Sequence, residues 1–376
     1  MILKIGTLFS NYGPYHLARL ESLVKLAQYS HLEISALELA RSEEEYPWVT
    51  ELEKYNFSVI SVIKNKTLEK THTIELLLKL NKILDKLNLD VIAISGYFNP
   101  AMLFALMWCL WHGKRAILFS ESTEADAPRI WWREMIKQWI VARYKAALVG
   151  GHPHKRYLMQ LGMSESAIFL GYDVVDNDTF RPERIENLSR PIAKPYFLAI
   201  NRFVNKKNLP FLISAYGNYR QKFQGEPWDL IICGDGELRP LLEKQITDSG
   251  IDEFIHLPGF LQQEELLPYF AHAGCFIHAS RQEQWGLVVN EAMAAGLPVL
   301  VSDRCGCFED LILEGINGFG FDPENLQQLV SLMTKISSKE LDLQAMEKAS
   351  LHHIQEFSPD HFARRLLQAI EYATTH

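Results

Sequence analysis

The feature that most constrains this chain is alternation. Short apolar runs of strand length recur along the whole sequence, separated by segments with helical periodicity. The runs are Leu3 to Phe9, Leu32 to Leu39, Ser58 to Ile63, Asp90 to Ser95, Arg115 to Phe119 and Ala146 to Val149, then Tyr196 to Asn201, Leu230 to Cys233, Ile255 to Leu257, Cys275 to Ala279 and Pro298 to Val301. Strands that alternate with helices assemble into parallel sheets covered by helices on both faces. The predicted class is α/β with doubly wound sheets. The polar, proline-containing stretch Asp176 to Pro195 interrupts the pattern and reads as a linker, setting one domain at residues 1–185 and another at 190–356. With 376 residues, 48% of them hydrophobic, each half is long enough to bury a core of its own.

The chemistry concentrates in RQEQWGLVVNEAMAAGLPVLVS, Arg281 to Ser302. A strand-like run precedes it, and the Ala-rich segment ending in Gly296 has the composition of a helix. Gly286 lets the backbone come close to a ligand, and the following helix aims its free N–H groups and positive dipole end at the loop. Glu283 at the strand exit and Glu291 near the helix start place carboxylate acceptors beside that anion cradle, which suits a nucleotide sugar. Each carboxylate also has a plainer reading, Glu283 as a solvated loop charge and Glu291 as a helix-start acid favoured by the dipole. Earlier in the same half, the run PYFLAIN leads into Arg202, Lys206 and Lys207. Arg202 grips phosphate oxygens with a planar fork and Lys207 acts as a mobile point charge on the same diphosphate.

In order and spacing, these motifs resemble the donor domain of retaining glycosyltransferases of the GT-B fold, in the large family numbered four, also called glycosyl transferases group 1. The likeness runs from about Tyr196 to Asp322 and is carried by Arg202 with Lys207, GDGE at Gly234 to Glu237, LPGF at Leu257 to Phe260, Glu283 and Glu291 with seven residues between them, AGLPVLVSD at Ala295 to Asp303 and NGFGFDP at Asn317 to Pro323. The resemblance implies two Rossmann-like domains facing across a cleft, with the C-terminal segment near 360–376 packing back on the first. It implies that Arg202 and Lys207 bind the donor diphosphate, that Gly286, Leu287 and Val288 lend it backbone N–H groups, that Glu291 holds the ribose and that Glu283 contacts the transferred sugar. The base of a UDP- or GDP-sugar is expected near Gly259, Phe260 and Gln262, with Gly234 in the donor-binding set. Trp285 either stacks on the sugar or packs beneath the loop. Transfer by front-face attack, the leaving diphosphate helping to take the acceptor proton, requires neither metal nor cofactor.

The first half is expected to bind the acceptor, a glycan, a lipid-linked molecule or a small molecule. SNYGPYHLARL follows the first strand, so Gly13 can approach the donor phosphates while Tyr12, Tyr15 and His16 line the cleft. His16 is a candidate for acceptor binding or proton transfer, or else a helix-start histidine with a structural hydrogen bond. Glu121 and Glu124 in FSESTEAD are placed to orient acceptor hydroxyls; many relatives carry a histidine at the end of the corresponding strand, where this chain has Ser120 and Glu121.

Other classes fit less well. The net charge of −8 argues against nucleic acid as a partner. GDGELR carries Arg239 where a dinucleotide fingerprint needs its third glycine. Five cysteines without paired spacing suggest neither zinc nor disulfides and point to a reducing cytoplasm. The N-terminus opens as a strand rather than a secretory signal, and the longest uncharged apolar run, Ala101 to Trp111, is too short to cross a bilayer. Asp176 and Asp178 formally match a metal-binding pair of another glycosyltransferase fold but fall in the linker. A non-catalytic nucleotide-sugar binder and an epimerase of the same architecture remain as alternatives. The segment Arg129 to Ala147 is basic and tryptophan-rich: either a helix lying on anionic lipid, through the span Arg129 to Lys145, or a surface helix with Trp132, Ile136, Trp139 and Ile140 turned to the core.

Overall fold

All strand pairs among the described residues are parallel, as the alternation predicts. The structure is a computed structural model and describes residues 2–28, 31–42, 50, 52–338 and 340–376. The chain divides into two compact units, Met1–Asp176 with Phe357–His376, and Asn177–Glu356.

The first unit holds seven strands, β1 (Leu3–Phe9), β2 (Leu32–Ser42), β3 (Val59–Thr67), β4 (Val91–Ser95), β5 (Arg115–Ser120), β6 (Ala146–Val149) and β7 (Ile168–Leu170), in the order β3-β2-β1-β4-β5-β6-β7. The strand order reverses between β1 and β4, the place where an open parallel sheet parts its loops and leaves a crevice. Central strands are apolar on both faces: Leu8, Leu37, Ile92 and Leu118 pack toward one helical layer, and Ile5, Ala93, Ile117 and Phe119 toward the other. The second layer includes the helix Pro359–Thr375, which buries Phe362, Leu366 and Ile370 there. Ser22 donates to the Asp360 carboxylate at 2.8 Å, tying that helix to the helix Pro14–Ala27.

The second unit holds β8 (Tyr196–Ile200), β9 (Asp229–Cys233), β10 (Ile255–Gly259), β11 (Cys275–His278), β12 (Val299–Ser302) and β13 (Gly318–Phe321), in the order β10-β9-β8-β11-β12-β13. Its switch point lies between β8 and β11, neighbours in space although 74 residues separate Ile200 from Cys275 (275 − 200 − 1). Both charged loops singled out in the sequence leave the carboxyl ends of these two strands.

Two expectations are corrected. The boundary between units lies at Asn177, not at residues 185 to 190. The supposed linker forms short helices, Asn177–Phe180 and Pro182–Ile185, that fold with the second unit. Asn177 donates to the Ile354 carbonyl at 2.9 Å, Phe180 sets its ring edge-on to Phe270, and Phe180 and Ile185 are buried. Polar composition hid these anchors because only a few apolar residues are needed to hold a four-residue helix. In the helix Trp131–Val141, the stripe expected to face the core is turned outward: Trp132, Ile136 and Trp139 are exposed and only Ile140 is buried. Strands β7 and β13 have no counterpart in the sequence reading, being three and four residues long, the second with alternating glycines that carry no apolar period.

Candidate functional site

The second unit builds its site from residues that side-chain period 2 sorts by face. Along β11 and its exit, Cys275, Ile277 and Ala279 enter the hydrophobic core, whereas His278 and Ser280, two apart, share the opposite face. Both polar side chains are fully buried. They meet Glu283, whose carboxylate lies 3.4 Å from His278 Nε2 and accepts from Ser280 Oγ at 3.4 Å. Lys207 closes the group as a partly buried ion pair with Glu283, 76 residues away in sequence.

Burial by itself would raise the Glu283 carboxyl. The hydrogen bond from His278 and the charge of Lys207 outweigh it and hold the group well below the usual carboxylate range. Burial pushes the His278 ring down from its ordinary value of 6.5, against the opposing pull of Glu283, so it serves as a neutral donor. The carboxylate partner assigns the proton to Nε2; Nδ1 is buried with no hydrogen-bond partner. Glu283 is therefore a positioned anion rather than a solvated loop charge.

The backbone around Glu283 is pinned from both sides. Arg281 N–H donates to the Lys206 carbonyl at 2.8 Å, Gly306 N–H donates to the Glu283 carbonyl at 3.0 Å, and Cys307 N–H donates to that of Trp285 at 3.2 Å. Trp285 is packed beneath the loop at 1% exposure, its indole N–H donating to Asn290 Oδ1 at 2.8 Å, which excludes it from stacking on a sugar in this conformation. Gly286 ends the loop at φ 108, in the left-handed region, and a Cβ there would sit 3.5 Å from both Glu283 Cγ and His278 Nε2. It starts the helix Leu287–Ala294, which has no side-chain cap, so the amides at Leu287 and Val288 face outward from an uncapped, dipole-positive end beside Lys207. Glu291 is the fifth residue of that helix and 4% exposed, not a first-turn acid. Helix formation begins only after Gly286, which shifts Glu291 into the second turn.

Arg202 lies just past β8, half-buried. Its loop is supported from below by GDGE. Gly234 at φ 129 lies so close to Asn201 that a Cβ would strike the carbonyl, and Phe203 N–H donates to the Asp235 carbonyl at 2.7 Å. Gly234 thus supports the cation loop through its backbone. Gly259 ends the edge strand β10, two strands from β8, and Phe260 follows it, with Gly234 N–H donating to the Gly259 carbonyl at 2.7 Å and half of Phe260 exposed.

In the first unit the loop after β1 is occupied with its own support. Tyr12 is buried, not lining an open surface: its hydroxyl is 2.6 Å from Thr7 Oγ1, and its amide donates to Glu38 Oε2 at 3.0 Å. Gly13 is the N-cap of the helix Pro14–Ala27, and its amide donates to His16 Nδ1 at 3.4 Å, the structural role weighed for that histidine. Burial and the nearby Arg19 charge lower His16 from 6.5 to about 3, and its ring lies 4.4 Å from that of Phe9. Glu38, which sequence reasoning missed, also takes Ser61 Oγ at 2.6 Å and Arg41 at 3.3 Å. Its signal was a carboxylate set within the buried apolar run Ala36–Ala40, the strand's other acid, Glu33, being exposed near the strand start. Glu121 is half-buried past β5, and its charge helps hold buried Asp173 well above the carboxylate range, after the larger effect of burial. Glu124 is exposed and accepts from Gln160 at 3.0 Å. Among the described residues no group of three or more His, Cys, Asp or Glu is arranged to hold a metal ion, and Asp178 pairs with Arg181 at 3.3 Å.

Residues 180–353 match the family described as Glycosyl transferases group 1. The match takes in nearly all of the second unit, Asn177–Glu356. Among curated relatives, the amylovoran biosynthesis glycosyltransferase AmsK of Erwinia amylovora is 27% identical over 202 residues, 52% of this chain and 48% of that one. The alpha-monoglucosyldiacylglycerol synthase of Acholeplasma laidlawii is 30% identical over 125 residues, 33% and 31% of the two. The chain thus spans about half or less of the length of these relatives. In structure it is similar to Anabaena HepE, solved in complex with UDP and glucose, with TM-score 0.77, 17% identity and 98% and 99% of the two chains covered. The fold is accordingly GT-B, two Rossmann-like parallel-sheet domains.

Proposed function

We propose that this chain is a retaining glycosyltransferase of group 1 that needs no metal, moving a hexose-type sugar from a UDP- or GDP-sugar to a hydroxyl of a glycan, lipid-linked or small-molecule acceptor in the cytoplasm. One observation carries the reading: the partly buried Lys207–Glu283 pair sits beside an uncapped helix N-terminus at a parallel-sheet switch point. An ammonium has three donors, so Lys207 can hold Glu283 and still reach a phosphate oxygen. In this reading Arg202, Lys207 and the amides at Gly286, Leu287 and Val288 stabilise charge growing on the departing diphosphate, Glu291 takes the ribose, and Glu283 the sugar. A preorganised donor of this kind contributes on the order of 3 kcal/mol to a transition state. Uracil is favoured over guanine as the base, on the strength of the UDP held by the structurally similar HepE.

The test is a thermal-shift panel of UDP, GDP and their sugar conjugates, followed by transfer assays in which NMR reports the product anomer. Stabilisation by a UDP-sugar, lost in Lys207→Ala, together with a retained anomeric configuration, is the expected result. No shift with any nucleotide overturns the donor site; binding without transfer or donor hydrolysis makes the chain a nucleotide-sugar binder; an inverted anomer overturns retention alone.

A further inference from the structure

The helix Trp131–Val141 is amphipathic in the wrong sense for a free surface. Its inner side carries charge: Glu134 accepts from Lys137 at 2.8 Å, from Arg129 at 3.3 Å and from the Tyr157 hydroxyl at 2.8 Å, with Ile140 and Val141 buried alongside. Its outer side is apolar. Trp131, Trp132, Met135, Ile136 and Trp139 are between 45% and 73% exposed. At 3.6 residues per turn these five fall within one arc of about 140°, while Glu134 lies on the other side.

The cations bordering that arc are aimed along it. The Arg133 guanidinium lies 5.2 Å from the Trp132 ring centre and that of Arg143 lies 4.8 Å from Trp139. Neither has a carboxylate partner among the described residues. Arg129 and Lys137, by contrast, are held by Glu134. The surface thus presents three indoles, two aliphatic side chains and two uncompensated guanidiniums.

We propose that this face docks on an anionic membrane surface, with the indoles at headgroup level and Arg133 and Arg143 against lipid phosphates. Tryptophan beside arginine is the combination that partitions to such an interface. A second copy of this chain complements the face poorly, because a twofold pairing sets each guanidinium pair against its duplicate. At 11 residues the helix lies on the bilayer and does not span it. Among the described residues no helix is long and apolar enough to cross a membrane. The inference stands apart from the donor-site reading, since these residues belong to the first unit; where both hold, the acceptor narrows to a lipid-linked hydroxyl.

Vesicle flotation tests it, with phosphatidylcholine vesicles against vesicles that also contain phosphatidylglycerol. The full-length chain is expected to float with the anionic vesicles only, less so at high salt. Arg133→Glu with Arg143→Glu is expected to lower partitioning on the order of tenfold or more, and Trp131→Ser with Trp139→Ser to abolish it. Both variants should keep the wild-type melting temperature and UDP shift, because the substituted side chains are exposed. Absence of flotation, equal flotation with both vesicle types or unchanged flotation of the variants overturns the proposal. So does a dimer in solution that the tryptophan variant converts to monomer, which would assign the face to a second copy.

Discussion

The two units use the same sheet plan and spend their polar side chains differently. At the second unit's switch point, Lys207, His278, Ser280 and Glu283 converge from two loops and leave an uncapped helix end beside them. At the first unit's, Tyr12 is turned into the core and His16 is spent on the N-cap amide, with Glu38 beneath them as a fixed buried acceptor. The lesson concerns satisfied valences. A loop whose polar groups all serve its own geometry is scaffold, whereas a loop holding donors in excess of its internal needs can take a ligand.

The contrast is broken most directly at Lys207. Lys207→Ala should cut sugar transfer roughly a hundredfold or more, and steady-state assays check it. A loss of less than tenfold would mean that the helix end and Arg202 suffice. Next comes His278, a positioning residue. His278→Leu leaves Glu283 without one donor and should lower kcat about tenfold with little change in KM, since the hydrogen bond fixes a side chain and binds no nucleotide. His278→Gln should recover part of it, and unchanged kinetics in both would reduce His278 to packing.

In the first unit, Glu38→Leu should cost about 1–3 kcal/mol of stability, because the Tyr12 amide and Arg41 lose a buried acceptor. Denaturant midpoints measure this. The smallest effect belongs to His16. Its pKa is lowered from 6.5 to about 3, so the unfolded chain binds its proton first as pH falls. The stability it contributes is present above 6.5 and lost progressively between 6.5 and about 3. His16→Asn should flatten the fall in melting temperature over that window and change transfer less than threefold; a larger kinetic loss would give His16 a role at the acceptor. Glu283, lowered from 4.5, begins to lose its contribution only as pH falls through 4.5, so the two units should differ in acid sensitivity above pH 4.5.

Most of the fold and half of the site were legible beforehand. Strands showed because parallel sheets buried on both faces demand continuous apolar runs, and Leu37, Ile92, Phe276 and Leu300 supply them. Arg202, Lys207, Glu283 and Gly286 showed as charges or a glycine in the loops after strands, and Glu291 as an acid in the helix that follows. His278 and Ser280 could have been found by their spacing of two on a strand with a core-facing partner set, yet their meaning depends on Lys207, 71 residues earlier (278 − 207).

By itself the sequence determined the α/β class, the parallel alternation and which loops carry charge, since each follows from local periodicity and composition. Tertiary structure decided what those charges touch. It paired Lys207 with Glu283, buried Trp285 and Tyr12, moved Asn177–Ile185 into the second unit and turned Trp132, Ile136 and Trp139 outward. The physical reason is that burial and hydrogen-bond partnership arise between segments distant along the chain. A helical stripe of tryptophans reads the same in sequence whichever of its faces meets the protein.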